Sequence, residues 1–311
     1  MNRENKPFPA TAMDLATLNH TYAIPGTLEF VPLPGDLVAV QLRNPFAAAT
    51  VALHGGHVMS YIPHGESDLL WMSKRSNFAA DKPIRGGIPV CWPWFGAHPT
   101  DPAMPAHGFA RLRDWEFKSG SRLANGGTRI SLALPARREI AALWPHRFSL
   151  ELVVTVADRL EVELVAGNPG DSPFTFTAAL HSYFAVGDIA AVAVAGLDGV
   201  EYLDTVGGRN AREIQRGPIA FAAETDRIYL DTVAPCLIHD ASRGRTIRVE
   251  KSGSRTTVVW NPWIAKAARM PDFGDTEYRE MLCVETANAG ADAVALQPGQ
   301  RHNLKTIIGL A

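Results

Sequence analysis

Cysteine is scarce: Cys91, Cys236 and Cys283 are the only three in 311 residues and stand far apart. Neither a disulfide framework nor a CxxC zinc pattern can be assembled from them, so they read as small core residues and a reducing, cytoplasmic setting is expected. Long apolar runs are missing too. No window approaches 18 uncharged apolar residues, so no membrane helix is expected. The opening stretch, MNRENKPFPATAMDLATLNH, lacks the apolar centre of a secretory signal. Charge of one sign is also not in surplus: Lys+Arg total 30 against 32 Asp+Glu, a formal net charge of -2. That argues against a nucleic-acid partner, which usually needs a basic surplus. Lysine itself is rare, 7 against 23 arginines. No GxSxG, P-loop, dinucleotide fingerprint or HExxH occurs.

Sustained helical periodicity is absent as well, which argues against a parallel βαβ sheet. What is present is period-2 alternation. Phe148–Val156 alternates, Ala157-Asp-Arg159 turns, and Leu160–Val165 alternates again, the pattern of a hairpin with one wet and one dry face. Further strands are expected at Leu37–Leu42, Thr50–Leu53, Val58–Ile62, Thr128–Leu134, Phe174–Ala179, Ala191–Val194, Arg227–Leu230, Thr246–Glu250, Thr256–Trp260 and Met281–Glu285. A last pair, Ala293–Leu296 and Asn303–Ile308, flanks the turn signal Pro298-Gly299. A short helix over Thr11–Asn19, capped by Thr11, and one or two turns over Ile264–Met270 complete the reading. With 26 glycines and 22 prolines spread along the chain and no linker or repeat, the expected fold class is all-β. It is read as a single large antiparallel sandwich with few short helices, residues 26–311, behind an N-terminal extension, 1–25.

The chemistry concentrates in a few segments. Ile84-Arg-Gly-Gly-Ile-Pro-Val-Cys-Trp-Pro-Trp-Phe-Gly96 crowds three aromatic rings among glycines and prolines. Those rings either line a sugar site or pack as a buried loop. Pro105-Ala-His-Gly-Phe-Ala-Arg111 sets His107 and Arg111 around a glycine, and Arg85 with Arg111 could grip one anion, since the guanidinium fork matches phosphate. The alternative is two ordinary salt bridges. His181 follows Phe174–Ala179, where a histidine serves either as acid–base catalyst or as a hydrogen-bonded core residue. Asp226 is placed just ahead of a strand, as a turn cap or a hydroxyl acceptor. Glu285 follows the apolar run Leu282-Cys-Val284, where burial would push a carboxyl pKa upward. His54-Gly-Gly-His57 reads as a glycine turn rather than a metal pair.

Together these segments resemble the D-hexose-6-phosphate mutarotases (glucose-6-phosphate 1-epimerases) of the galactose mutarotase-like, aldose 1-epimerase superfamily. RGGIPVCWPWFG and HGFAR carry the resemblance most specifically, and it runs from His54-Gly-Gly-His57 to the C-terminus in consistent order. It implies a supersandwich fold and catalysis by His181 and Glu285. By the same resemblance Arg85 and Arg111 hold the phosphate or ring hydroxyls, and His107 and Asp226 line the site. The implied partner is a small sugar phosphate, with no cofactor, no metal, no membrane and a monomeric chain. One departure is Ala106, where similar proteins often carry glutamine, so sugar preference stays open.

Anomer exchange asks for little else. One group takes the proton of the C1 hydroxyl, another protonates the ring oxygen, C1–C2 rotates, and closure reverses both transfers. Glu285 is read as base and His181 as acid, with roles exchanged on closure. Three other readings use the same residues: a neutral-sugar aldose 1-epimerase, a non-catalytic carbohydrate-binding module, and a glycosidase pairing Asp226 with Glu285, which leaves His181 without a role.

Overall fold

The structure is a computed structural model that describes residues 14–311. Strand follows strand, as the alternation requires. The hairpin Ser149–Val156/Leu160–Gly167 forms in the expected place, its register running from Val156↔Leu160 to Ser149↔Gly167. Leu150, Leu152, Val154, Leu160, Val162 and Leu164 point into the core, while Glu151, Glu161 and Glu163 on the other face stay partly exposed.

This hairpin belongs to a nine-stranded sheet. Its order is Ile219–Ala220, Val192–Ala195, Cys236–Asp240, Arg245–Ser252, Arg301–Leu310, Leu160–Gly167, Ser149–Val156, Thr128–Ala133 and Glu116–Arg122. An eight-stranded sheet runs Ala211–Ile214, Glu201–Asp204, Thr225–Tyr229, Thr256–Asn261, Met281–Asn288, Ala178–Leu180 and Val90–Cys91, with Tyr183–Ala185 also pairing to Met281–Asn288. Leu28–Pro32, Val38–Arg43, Ala47–Ala52 and His57–Pro63 form a four-stranded meander. Every ladder between these strands is antiparallel, as expected for an all-β sandwich, and the sheets share one contiguous apolar core.

Several local expectations are corrected. Phe174–Ala179 is two strands, not one. Phe174–Phe176 pairs with Val294–Leu296, whereas Ala178–Leu180 joins the eight-stranded sheet. The break falls at Thr177, whose N–H donates to the Pro93 carbonyl instead of a ladder partner. Val294–Leu296 and Arg301–Leu310 flank Pro298-Gly299 but pair with other strands rather than with each other. The first helix is Leu15–Tyr22, and its cap is Asp14, which accepts from the Thr17 N–H. Thr11 lies outside the described residues. This helix docks through Asn19, whose side chain donates to the Phe30 carbonyl and accepts from the Phe30 N–H. The turns expected over Ile264–Met270 appear as Trp263–Ala267. A six-residue helix, Arg138–Leu143, is too short to show periodicity in the sequence. Among the described residues no helix is long and apolar enough to cross a membrane.

Candidate active site

Strand Met281–Asn288 is buried along its whole length: strands flank it on both sides in the eight-stranded sheet, and Leu282 and Val284 on one face pack into the main core. On one side Ala178–Leu180 pairs as Leu180↔Thr286, and Tyr183–Ala185 pairs as Tyr183↔Cys283. These two contacts keep one register, which puts His181 opposite Glu285 across the short interruption between them. Alternation then decides the face. Cys283 and Glu285 share it with His181 and Tyr183, and the pairings Trp260↔Cys283 and Asp226↔Trp260 add Trp260 and Asp226. Asp226 therefore sits within the strand Thr225–Tyr229 rather than ahead of it. A small apolar cluster of Cys91, Ala179, Val258 and Ala287, separate from the main core, floors the same face.

Both catalytic candidates are buried, Glu285 at 1% exposure and His181 at 7%. His181 Nδ1 is 3.3 Å from Glu285 Oε1 without forming an aligned hydrogen bond, and Glu285 Oε2 has no partner. Both groups thus retain capacity toward a third molecule. The His181 ring stacks on Tyr183, centroids 4.8 Å apart and planes 9° from parallel. The Tyr183 hydroxyl accepts from Arg85 Nη1 at 2.9 Å.

Burial shifts the pair away from its charged forms. It raises the Glu285 carboxyl well above the ordinary carboxylate range, with Asp226 adding to the effect and Arg111 opposing it. It lowers His181 well below the ordinary imidazole value, helped by His107, Arg111 and Arg85. The favoured state is a neutral pair sharing one proton.

Two loops close over this face, and one carbonyl joins them. The Trp92 carbonyl oxygen accepts from the N–H groups of Phe109 and Ala110 at 3.1 and 3.2 Å. Gly108 makes the approach possible: its φ is +74°, and a Cβ there would lie 2.0 Å from the Trp92 oxygen. The segment Ile84–Gly96 and the His107–Arg111 stretch are therefore one structural unit. His107 stands at φ +62° with its N–H donating to the Gly96 carbonyl at 2.6 Å, which leaves its ring 5.6 Å from that of His181. Burial, aided by Arg111, Arg85 and Lys266, holds His107 down at about 3. Trp92 and Trp94 belong to the main apolar core. Both are buried, and Trp92 packs against Phe109, Trp144, Phe148 and Phe176. Of the two readings of the aromatic segment, the packed loop is correct for these rings.

The two arginines differ in their engagement. Arg85 donates from Nε and Nη2 to Asp272 Oδ2 at 3.2 and 3.1 Å, besides its bond to Tyr183. Burial disfavours its charge, but Tyr183 and Asp272 outweigh that and hold its pKa above the usual guanidinium value. Arg111 has only the Ala106 carbonyl, 2.9 Å from Nη2, and its buried Nε is unpartnered. Arg111 is the cation with donors to spare.

Tyr183, Asp272 and Lys266 escaped sequence reading. Tyr183 was detectable as the residue two beyond His181 on a strand. Lys266 Nζ lies 3.2 Å from Glu224 and 3.3 Å from Asp226, and 5.7 Å from the Trp260 ring centre. No local pattern distinguishes it from an exposed helical lysine. Among the described residues, His181, Cys283 and Glu285 are the one grouping of three donors close enough to hold a metal ion.

His54 and His57 serve the scaffold, consistent with a glycine turn. His57 Nε2–H donates to the Gly86 carbonyl at 2.8 Å, holding the backbone beside Arg85. Burial depresses His57 to about 3, against an ordinary value of 6.5. Below pH 6.5 the unfolded chain takes up a proton that the folded chain refuses, so stability falls as pH drops from there toward 3. Each such histidine contributes a slope of about 1.4 kcal/mol per pH unit inside that window. In His57→Gln, which keeps an N–H for Gly86, the loss of unfolding free energy between pH 6 and pH 4 is expected to be shallower by about that slope. Urea denaturation at the two pH values checks this, and equal slopes in the two proteins would refute it.

Residues 38–309 match the model of the aldose 1-epimerase family. A Salmonella typhimurium protein named "Putative glucose-6-phosphate 1-epimerase" is 36% identical over 295 residues, covering 93% of this chain and 98% of that protein. An Escherichia coli K12 protein of the same name is 38% identical over 272 residues, covering 88% and 90%. A crystal structure of a "putative mutarotase" from Salmonella typhimurium superposes with a TM-score of 0.86 at 34% identity, covering 93% of this chain and 95% of that one.

Proposed function

Since the chain belongs to the aldose 1-epimerase family, we propose that it interconverts the α and β anomers of a hexose 6-phosphate, with glucose 6-phosphate as first candidate. The observation that carries this reading is the buried His181–Glu285 pair, 3.3 Å apart with unspent polar capacity, on a face bordered by Arg111. The names of the relatives supply the substrate class.

In ring opening Glu285 takes the proton of the C1 hydroxyl while His181 protonates the ring oxygen. The pair then holds its proton on Glu285 and leaves His181 neutral, the distribution that burial favours. From that state closure runs the two transfers backwards onto the opposite face of the aldehyde. A proton shift across the 3.3 Å gap interconverts the two distributions, so the pair works as a one-proton unit in either direction. Asp226 and His107 face the same space and serve as sugar-hydroxyl partners. Arg111 carries the anion, with Arg85 steadied behind it by Asp272 and Tyr183.

The substrate's charge is tested by comparing kcat/KM for glucose 6-phosphate and glucose. The wild type is expected to prefer the phosphate. Arg111→Lys, which keeps the charge but loses the fork, is expected to shrink that preference roughly 10- to 100-fold, the equivalent of one charge-assisted hydrogen bond. A wild type that prefers glucose would overturn the phosphate assignment. It would favour the neutral-sugar epimerase reading, to which the engagement of Arg85 by Asp272 and Tyr183 lends some support.

A further inference from the structure

Cys283 takes no part in the proton transfers, yet its thiol faces the pair that does. It lies two residues before Glu285 on one strand, hence on the same face. One donor atom each from His181, Cys283 and Glu285 can be chosen so that all lie within 4.8 Å of one another. All three residues are buried, the thiol is free, and His181 Nδ1 and Glu285 Oε2 lack hydrogen-bond partners. A nitrogen, a sulfur and an oxygen donor form the set that borderline and soft divalent cations prefer. We propose that His181, Cys283 and Glu285 form an inhibitory binding site for a thiophilic divalent cation such as Zn²⁺ or Cd²⁺.

Geometry permits this at modest cost. Metal–ligand bonds of roughly 2.0–2.3 Å around a tetrahedral centre set donors about 3.3–3.8 Å apart. His181 Nδ1 and Glu285 Oε1 already have that spacing. Since the three donors lie within 4.8 Å of one another, the widest pair has to close by no more than about 1.5 Å to reach the spacing of a tetrahedral site. Binding releases the thiol proton and the proton shared by His181 and Glu285 to the buffer. A bound cation thus occupies the lone pairs that anomer exchange needs, and the two uses of the site exclude each other. The inhibitory half of the proposal rests on the mutarotase reading; the binding half does not.

The test titrates chelator-stripped full-length protein with Cd²⁺, following the ultraviolet thiolate-to-cadmium absorption, and in parallel assays mutarotation with added Zn²⁺. One equivalent of Cd²⁺ is expected to produce the band. Zn²⁺ is expected to abolish turnover, and EDTA to restore it. Cys283→Ser and Cys283→Ala should lose the band, keep metal-free activity, and need at least roughly tenfold more Zn²⁺ for inhibition, since even second-shell changes weaken metal sites by that much. Cys236→Ser should behave as wild type. Absence of the band in wild-type protein, equal inhibition of the Cys283 variants, or activation by Zn²⁺ would overturn the proposal. If the protein shows the band but no mutarotation, the metal site stands and the mutarotase assignment falls.

Discussion

Glu285→Gln is expected to lower kcat for hexose 6-phosphate mutarotation by about 10²–10⁴-fold, the usual worth of a positioned proton-transfer group. Glutamine preserves the shape of the buried side chain but can neither take nor hold the proton. The fold should survive, because at 1% exposure the wild-type carboxyl is already pushed toward its neutral form. His181→Asn is expected to lose a similar factor. The double variant should lose little more than either single one, since the two groups act as a unit. Polarimetry, or NMR exchange between the anomer signals, measures the rate above the spontaneous background. Either single variant running at wild-type speed would dismiss the pair from catalysis.

Trp92→Ala is expected to cost about 3–5 kcal/mol of unfolding free energy, the range for removing a large aromatic from a closed core. Trp92 is fully buried and packs against four rings from three other stretches of the chain. The indole N–H has no partner, so Trp92→Phe gives up far less: it removes an unsatisfied polar group and keeps most of the ring. Denaturant titration of the two variants separates these cases. A loss below 1 kcal/mol in Trp92→Ala would show that this ring is not a packing centre. Activity should fall together with stability, because the Trp92 carbonyl anchors the segment bearing His107 and Arg111.

Alternation made most of the fold legible. A strand with one dry face announces itself, as in Leu160–Gly167, whereas Glu201–Asp204, Ala211–Ile214 and Val90–Cys91 are too short or too exposed to show a period. The split at Thr177 was hidden because Phe174-Thr-Phe-Thr-Ala178 alternates straight across it while the backbone changes sheets. Glu285 stood out as a carboxylate in an apolar run, and the position is buried as that run implies. What no local pattern conveys is which cations are already occupied. Arg85 and Arg111 look alike in sequence, but Asp272, 187 residues from Arg85, ties up only the first. Long-range pairings of this kind depend on the sheet order, and that order is not written in any single segment.

The junction at the Trp92 carbonyl also bears on how this scaffold can diversify. Residues 97–106 leave and return at points pinned to each other, and Thr100–Ala103 at their tip are exposed. The excursion is therefore a closed loop whose stem, not its length, fixes His107 and Arg111. Doubling such a loop costs only about 0.6 kcal/mol in closure entropy. Insertions at the tip would thus change the surface beside His107 and Arg111 without shifting the stem that holds them.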